Sequence, residues 1–400
     1  MESYIVRQQV REINRKLFAN DLIYSSTDID TIDTVISRII TSYNPADELA
    51  SIPTLLRLED ENLTNAIYDK ITLLNIKSVI VQVNNRIFAD PDKVQIVRKL
   101  KDANYKIMVE INKEDYIFTL AKIFADYIKF DIKNIPDKVA TQQFNCKKLA
   151  YNVNTPEDYV LAEAACIDLY EGTYISPTTE IEVEDTQHSK VNFIEIISTI
   201  NRENCDIKDL ANIIKRDSLM SAQLIRLSNS AYFAGIKPIE SISDAIVRVG
   251  LQNLKKWIFL LQFSRNNNVP EELLQTSYHR AVFCEIIIHE YKNNKEITSN
   301  DAYLIGLFST LDILTGKSMN HQLTKMNLND VVEDALIYRD GIGGTLLNLV
   351  RAYEEANWKK VDKYIKEFKL NKEKIFKIYF DSLEEVTKLW KNLTEFGGVI

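Results

Sequence analysis

Glycine is scarce in this chain: 10 in 400 residues, and Gly172 alone precedes Gly235. More than half of the sequence thus has almost no residue that lets a backbone come close to a phosphate. A Walker loop or a GxGxxG turn is excluded there. GIGG at 341–344 follows no strand and precedes no Lys-Ser/Thr pair, so it reads as a turn or helix stop. Cysteine is also sparse, and Cys146, Cys166, Cys205 and Cys284 form no CxxC pair. They read as buried free thiols of a reducing cytosol. No apolar run approaches the roughly 20 residues that span a bilayer. The opening MESYIVRQQVREIN has charges where a signal peptide needs its apolar stretch. Basic excess is absent too. A net charge of −8 and a pI near 5.3 argue against general nucleic-acid binding. The expected setting is the cytoplasm, with no membrane and no nucleic acid as partner.

What is present is a protein of ordinary globular composition, 46% hydrophobic and 26% charged, which argues against wholesale disorder. Its length predicts two domains. Up to about residue 177, short β-branched runs alternate with helical patterns. The runs are KLFANDLIYSS, PTLLRLED, KSVIVQVNN, YKIMVEIN, DYIKFDIKN, KKLAYNVN and LYEGTYISP, with an eighth in the opening SYIVRQ. Helical patterns such as DTIDTVISRIITSY, DPDKVQIVRKLKDAN, EDYIFTLAKIFA and TPEDYVLAEAACI lie between them. That rhythm predicts βα units closed into a barrel, with the chemistry at the carboxyl ends of the strands.

After Pro177 the pattern changes. TTEIEVEDTQHSK is acidic and aperiodic, a linker, and nearly everything from Val191 onward is helical. Asp206 and Ser221 read as helix N-caps, Gly250 and Gly316 as stops. Trp257 in LKKWIFLLQF reads as core, with Lys255 and Lys256 on the solvated side. The Lys- and aromatic-rich stretch from Ala356 to Leu393 interleaves acids and reads as two packed amphipathic helices. The expected domains are 1–178 (barrel), 179–190 (linker) and 191–400 (helical). The fold class is α/β plus all-α.

SAQLIRLSNSAYFAG and ISDAIVRVGLQNLKKWIFL resemble the signature of HDOD domains, helical relatives of HD metallohydrolases that act as signalling output modules. YLIGLFSTLDILTG fits a later segment of that family. The first half is similar to a divergent EAL barrel, the fold of cyclic di-GMP phosphodiesterases. SYIVRQQVREINRKLFANDLIYSS resembles that family's opening hairpin and namesake strand, and LYEGTYISP its last strand. The order is that of EAL–HDOD proteins.

The resemblance implies a site at the barrel mouth, where EAL enzymes hold two divalent cations on strand-end carboxylates and an asparagine, assisted by a lysine. Carried over one position at a time, the match is poor. Asp21 stands where the first glutamate belongs, and Ser25 replaces the arginine that clamps substrate phosphate. Arg57 takes the asparagine position and Gln82 the second glutamate. Glu110 and Ile111 replace an aspartate pair. Lys129 and Asp131 agree with the family. Tyr151 and Asn154 have lost the acids of the seventh strand, and Glu171 replaces a glutamine. Too few carboxylates remain, so the expectation is no metal, no cofactor and no catalysis. Asp21 and Glu110 are expected to pair with Arg57 and Lys129 instead.

In the helical half, the four histidines precede Ser189, Arg280, Glu290 and Gln322, so the His-Asp doublet of HD enzymes is missing. His279 and His289 lie off a common helical face, and each reads as hydrogen-bonded or exposed. SNSAYF, around Asn229, offers no nucleophile with a base and reads as a helix-ending packing motif. The reading is a signalling scaffold whose inactive barrel supports an HDOD module that binds protein partners. Two alternatives stay open: a cyclic dinucleotide receptor with Arg57 and Lys129 on the phosphate, or a metal-dependent cyclic di-GMP phosphodiesterase. Nothing in the sequence specifies oligomeric state.

Overall fold

The computed structural model describes residues 4–13, 16–25, 29–42, 52–112, 118–135, 145–172, 195–200, 205–230, 233, 237–264, 271–291, 296–315, 317–324, 326 and 328–397. The expected linker 179–190, His188, Gly235 and Gly316 lie outside them, as do Ala231 and Tyr232 of SNSAYF. The chain divides into two compact units, Met1–Ser176 with Ala352–Lys359, and Pro177–Arg351 with Lys360–Ile400.

The first unit is a closed barrel in which each strand pairs with the next: β1 (Ile5–Glu12), β2 (Leu17–Tyr24), β3 (Thr54–Leu58), β4 (Val79–Asn84), β5 (Lys106–Glu110), β6 (Tyr127–Asp131), β7 (Lys147–Tyr151) and β8 (Leu169–Glu171). Every strand read from the sequence is there, SYIVRQ included. β1 runs antiparallel to both β2 and β8, and all other neighbours are parallel. The opening pair is thus a hairpin inserted in a parallel barrel.

Helices fill the connections: α1 (Ile29–Ser42), α2 (Asn65–Ile71), α3 (Pro91–Asp102), α4 (Phe118–Phe124) and α5 (Pro156–Ala164). α1 buries Ile32, Val35, Ile36 and Ile39, the spacing of one helical face. α5 starts on a capping box, Thr155 with Asp158, and has Pro156 in its first turn, where a missing N–H costs nothing. Gly172 shows why the barrel needs its one glycine. A Cβ there would lie 2.0 Å from the Val153 carbonyl oxygen, just where the Val153 amide closes on the Glu171 carbonyl at 3.0 Å.

Strand alternation places Val10, Ala19, Leu55, Ile80, Met108, Leu149 and Leu169 in one buried layer, with Phe18, Tyr127 and Tyr151 packed against it. This apolar plug makes the barrel solid. Whatever the mouth does must happen in the layer above.

The second unit is helical in its described residues. Beyond helical residues 195–200 it comprises α6 (Ile207–Ile214), α7 (Ser218–Ser228), α8 (Ile242–Val249), α9 (Leu251–Ser264), α10 (Glu271–Glu290), α11 (Ser299–Phe308), α12 (Leu311–Thr315), α13 (Met319–Leu323) and α14 (Asp330–Ile337), then α15 (Gly341–Glu354), α16 (Trp358–Glu367) and α17 (Lys372–Gly397), of which residues 352–359 count with the first unit. Two amphipathic helices close the chain, as expected. Asp206 caps α6, and Gly250, at φ +78°, ends α8.

Four expectations need correction. Ser221 lies inside α7 and caps nothing. Asp217 is the cap, its carboxylate accepting from the Met220 amide at 2.9 Å, while the Ser221 hydroxyl donates to the Ile214 carbonyl at 3.1 Å. GIGG opens α15 instead of ending a helix. Gly341 serves a left-handed backbone at φ +65°, while Gly344 answers to crowding: a Cβ there would lie 2.1 Å from the Arg339 carbonyl carbon. Of the cysteines only Cys284 is buried, Cys166 being exposed and Cys146 and Cys205 intermediate. Trp257 is core, but Lys255 and Lys256 are buried beside it. Lys256 survives burial because Glu285 and Glu385 approach to 3.4 and 3.5 Å and the Tyr303 ring lies beneath its ammonium. Lys255 donates to Asn300 Oδ1 at 3.2 Å.

Candidate functional site

Moving two residues from the apolar layer toward the carboxyl ends of the parallel strands gives Asp21, Arg57, Gln82, Glu110, Lys129, Tyr151 and Glu171. β1 runs the other way, so its contribution is Gln8, which pairs in register with Asp21. The mouth is therefore lined by a polar ring with one member per strand, three acids against two bases.

Lys129 is the hub. Its Nζ lies 2.6 Å from Asp21 Oδ2 and 2.8 Å from Glu171 Oε2, with all three side chains nearly inaccessible to solvent. It also donates to Gln82 Oε1 at 3.4 Å and sits over the Tyr151 ring. Burial alone would strip its proton, but the charges of Asp21 and Glu171 outweigh that and hold the ammonium above the ordinary lysine range. Glu171 feels the converse. Burial pushes its carboxyl up, opposed by Lys129 and reinforced by Asp21. One cation thus serves two buried carboxylates, and Asp21 Oδ1 is left buried with no hydrogen-bond partner.

The other half of the ring is a second network. Gln82 Nε2 donates to Glu110 Oε2 at 2.9 Å, and the Tyr151 hydroxyl donates to Glu110 Oε1 at 3.3 Å. Burial, then the charge of Glu110, raise the Tyr151 hydroxyl well above its usual range, so it stays a donor. Arg57 does not reach Asp21 or Glu110 as expected. Its Nε donates to Glu59 Oε1 at 2.9 Å, with Nη2 2.8 Å from the same oxygen, and its side chain is 39% exposed. Glu59 follows the end of β3 two residues beyond Arg57, so this local pairing wins over reaching across the mouth. The Arg57 carbonyl accepts from the Tyr24 hydroxyl.

The remaining predicted positions are peripheral. Ser25 Oγ accepts from the Tyr4 amide at 2.8 Å and closes the hairpin. Ile111 is buried. Asp131 caps a short turn by accepting from the Lys133 amide at 2.9 Å. Asn154 is exposed, its amide donating to Asp158. The structure gathers Asp21, Gln82, Glu110, Lys129, Tyr151 and Glu171, and leaves Ser25, Ile111, Asp131 and Asn154 outside. Sequence reasoning missed Gln8 and Glu59, and took Glu171 only as a lost glutamine. Counting two residues beyond the apolar layer would have found Gln8 and recognised Glu171 as a second acid facing Lys129.

In the helical unit, His279 Nε2 is 3.0 Å from the buried Ser382 hydroxyl and its ring packs on Phe283 and Tyr379, while His289 is exposed. Asn229 ends α7. Its side chain exchanges two hydrogen bonds with the Ile239 backbone, at 2.8 and 2.7 Å. No group of three or more His, Cys, Asp or Glu suited to a metal occurs among the described residues. No helix among them is long and apolar enough to cross a membrane.

Residues 189–334 match the HDOD domain family model. The HDOD match thus lies within the helical unit, which follows an eight-stranded barrel that opens on a hairpin. Similarity to single proteins extends across both units. The chain is 24% identical over 328 residues to the uncharacterized protein YuxH of Bacillus subtilis, covering 78% of this chain and 79% of that one. It is 25% identical over 303 residues to the cyclic di-GMP phosphodiesterase CdgJ of Vibrio cholerae, covering 72% and 68%. Among solved structures, the calcium and cyclic di-GMP complex of Klebsiella pneumoniae BlrP1 aligns with a TM-score of 0.36 at 12% identity, over 43% of this chain and 54% of that one.

Proposed function

We propose that the barrel is a non-catalytic element of a cyclic di-GMP signalling protein, and that the HDOD domain is the output surface, binding a protein partner. One observation carries this reading: the Lys129 ammonium lies between Asp21 and Glu171. Magnesium and manganese require several convergent oxygen donors. Here Asp21 and Glu171 are already engaged by Lys129, which leaves Glu110 as the one other acid of the ring to balance the charge of two dications. Gln82 turns its donor amide toward Glu110, and Ile111 supplies no donor. These residues do not fit a centre of two cations, and no hydrolytic step is derived through one. In place of a reaction, the ring offers a closed set of ion pairs that holds the ends of strands β2, β6 and β8 together.

The test is turnover of cyclic di-GMP by the purified full chain with manganese. No hydrolysis is expected. Hydrolysis that disappears in Asp21→Ala or Glu110→Ala makes the chain a phosphodiesterase and ends the scaffold reading. A second reading, a receptor that binds without hydrolysis, is favoured by the partial exposure of Arg57. Lys129 is too enclosed to share that work, so phosphate recognition falls to Arg57. Calorimetry with cyclic di-GMP separates the two: saturable heat lost in Arg57→Ala supports a receptor, and absence of heat leaves the scaffold.

A further inference from the structure

The turn between α15 and α16 belongs to the barrel. Residues 352–359 count with the first unit, although both helices otherwise lie in the second. The reason is visible in β1. The Ser25 amide donates to the Tyr4 carbonyl at 3.0 Å. Backbone groups alternate in direction along a strand, so the Ile5 carbonyl points away from β2. On that side β8 pairs with Val10, Arg11 and Glu12. Among the described residues, the mouth end of β1 thus overhangs its second neighbour, leaving a strand edge whose carbonyl needs a donor. The Tyr353 hydroxyl supplies one, donating to the Ile5 carbonyl at 3.1 Å in a buried contact.

Three more contacts join the same segments. Tyr4 stacks on Trp358, with ring centroids 5.2 Å apart and planes 13° from parallel, and meets Tyr353 edge-on at 6.0 Å. Gln8, the β1 member of the polar ring, donates from Nε2 to the Glu354 carbonyl at 2.9 Å. Residues 4 and 8 share the face of β1 that carries Val10 into the apolar layer, so both look into the mouth, and the turn meets them there. The turn itself is tight. The Ala356 amide donates to the Tyr353 carbonyl at 3.0 Å and the Asn357 amide to the Ala352 carbonyl at 2.8 Å, with Ala356 at φ +54°, where glycine is usual. An L side chain is strained in that conformation, a cost that the contacts with β1 offset.

We propose that residues 352–359 are a strap across the barrel mouth, held on β1 by Tyr353, Glu354 and Trp358, which keeps water from the Lys129 cluster and opens the mouth when it lifts. Its hold is made of aromatic contacts and two hydrogen bonds, each modest alone. Lifting it relaxes Ala356 and uncovers Gln8 beside Asp21. The inference concerns access to the polar ring and rests on neither reading of what that ring does.

Hydrogen–deuterium exchange and amine acylation, both read by mass spectrometry on the full chain, test it. Trp358→Ala removes the stack. Amides of β1 and β2 should then exchange about tenfold faster, with β4 to β6 unchanged. Acylation of the buried Lys129 should rise about tenfold relative to the exposed Lys77. Tyr353→Phe keeps the ring and removes one hydroxyl, and β1 exchange should rise about fivefold, the scale of one hydrogen bond. This variant decides the matter alone if circular dichroism shows that Trp358→Ala does not fold. Unchanged β1 exchange in either folded variant overturns the strap. So does equal acceleration in every strand, which marks a general loss of stability, or Lys129 reactivity that stays flat while β1 opens.

Discussion

Two lysines, one in each unit, are buried to nearly the same depth, Lys129 at 5% exposure and Lys255 at 4%, and their ammonium groups behave oppositely. Lys129 is held above the ordinary range by Asp21 and Glu171. Lys255 is pushed down by burial to about 8, because Asp301 and Cys205 offset too little of it. Asp301, the carboxylate whose charge acts on Lys255, explains the difference. Asp301 is committed elsewhere, with Oδ2 accepting from the Thr298 amide and hydroxyl and Oδ1 from Asn329, so Lys255 finds the neutral Asn300 oxygen. Depth sets the penalty, and the number of uncommitted carboxylates decides whether it is overcome.

The strongest way to break the comparison is Lys129→Met, which leaves two buried carboxylates without a counter-charge. We expect a loss of about 3–5 kcal/mol in urea unfolding. A loss below about 1 kcal/mol, the size of an exposed pair, would show the cluster to be solvated after all. Asp21→Asn keeps Glu171 on Lys129 and should cost about 2 kcal/mol, the scale of one hydrogen bond to a charged group. Matching the Lys129→Met loss would mean that Glu171 contributes nothing.

The two units should also respond to pH with opposite slopes. Glu171 has its carboxyl raised in the folded state. Its contribution is therefore complete below the unfolded carboxylate pKa and declines as pH climbs above that range. Glu171→Gln should flatten this decline in unfolding free energy measured from pH 4 upward. For Lys255, lowered to about 8 against an unfolded value near 10.4, the unfolded chain binds more protons between those values. Stability contributed there rises with pH, and Lys255→Met should reduce that rise between about pH 8 and 10. This is the smallest effect, read as a slope. An unchanged slope would place the Lys255 ammonium in water.

Much of the barrel was legible because strand signals are local. β-branched runs at regular spacing marked all eight strands, and SYIVRQ marked the first of them despite its reversed direction. Helix ends were less legible where two capping residues compete. Asp217 and Ser221 are both good caps, and only the Ser221 hydroxyl, drawn back to the Ile214 carbonyl, shows which one the chain uses. The Gly341–Gly344 run misled for a related reason. Glycine marks turns, as Gly341 does at φ +65°, but Gly344 marks close approach to the Arg339 backbone and Gly343 close approach to the Ile305 side chain, which arrives from elsewhere in the chain.

The sequence alone determined the eight strands and the period of two that sets one polar residue per strand above the apolar layer; which residues those are became plain only once the apolar layer was located. Pairing was decided only in three dimensions. Arg57 turned to Glu59 just past the end of its own strand, and Lys129 joined residues 108 positions back and 42 ahead in the chain. Ion pairs form between whichever uncommitted charges the fold leaves within a few ångströms, and that distance is a property of the closed barrel.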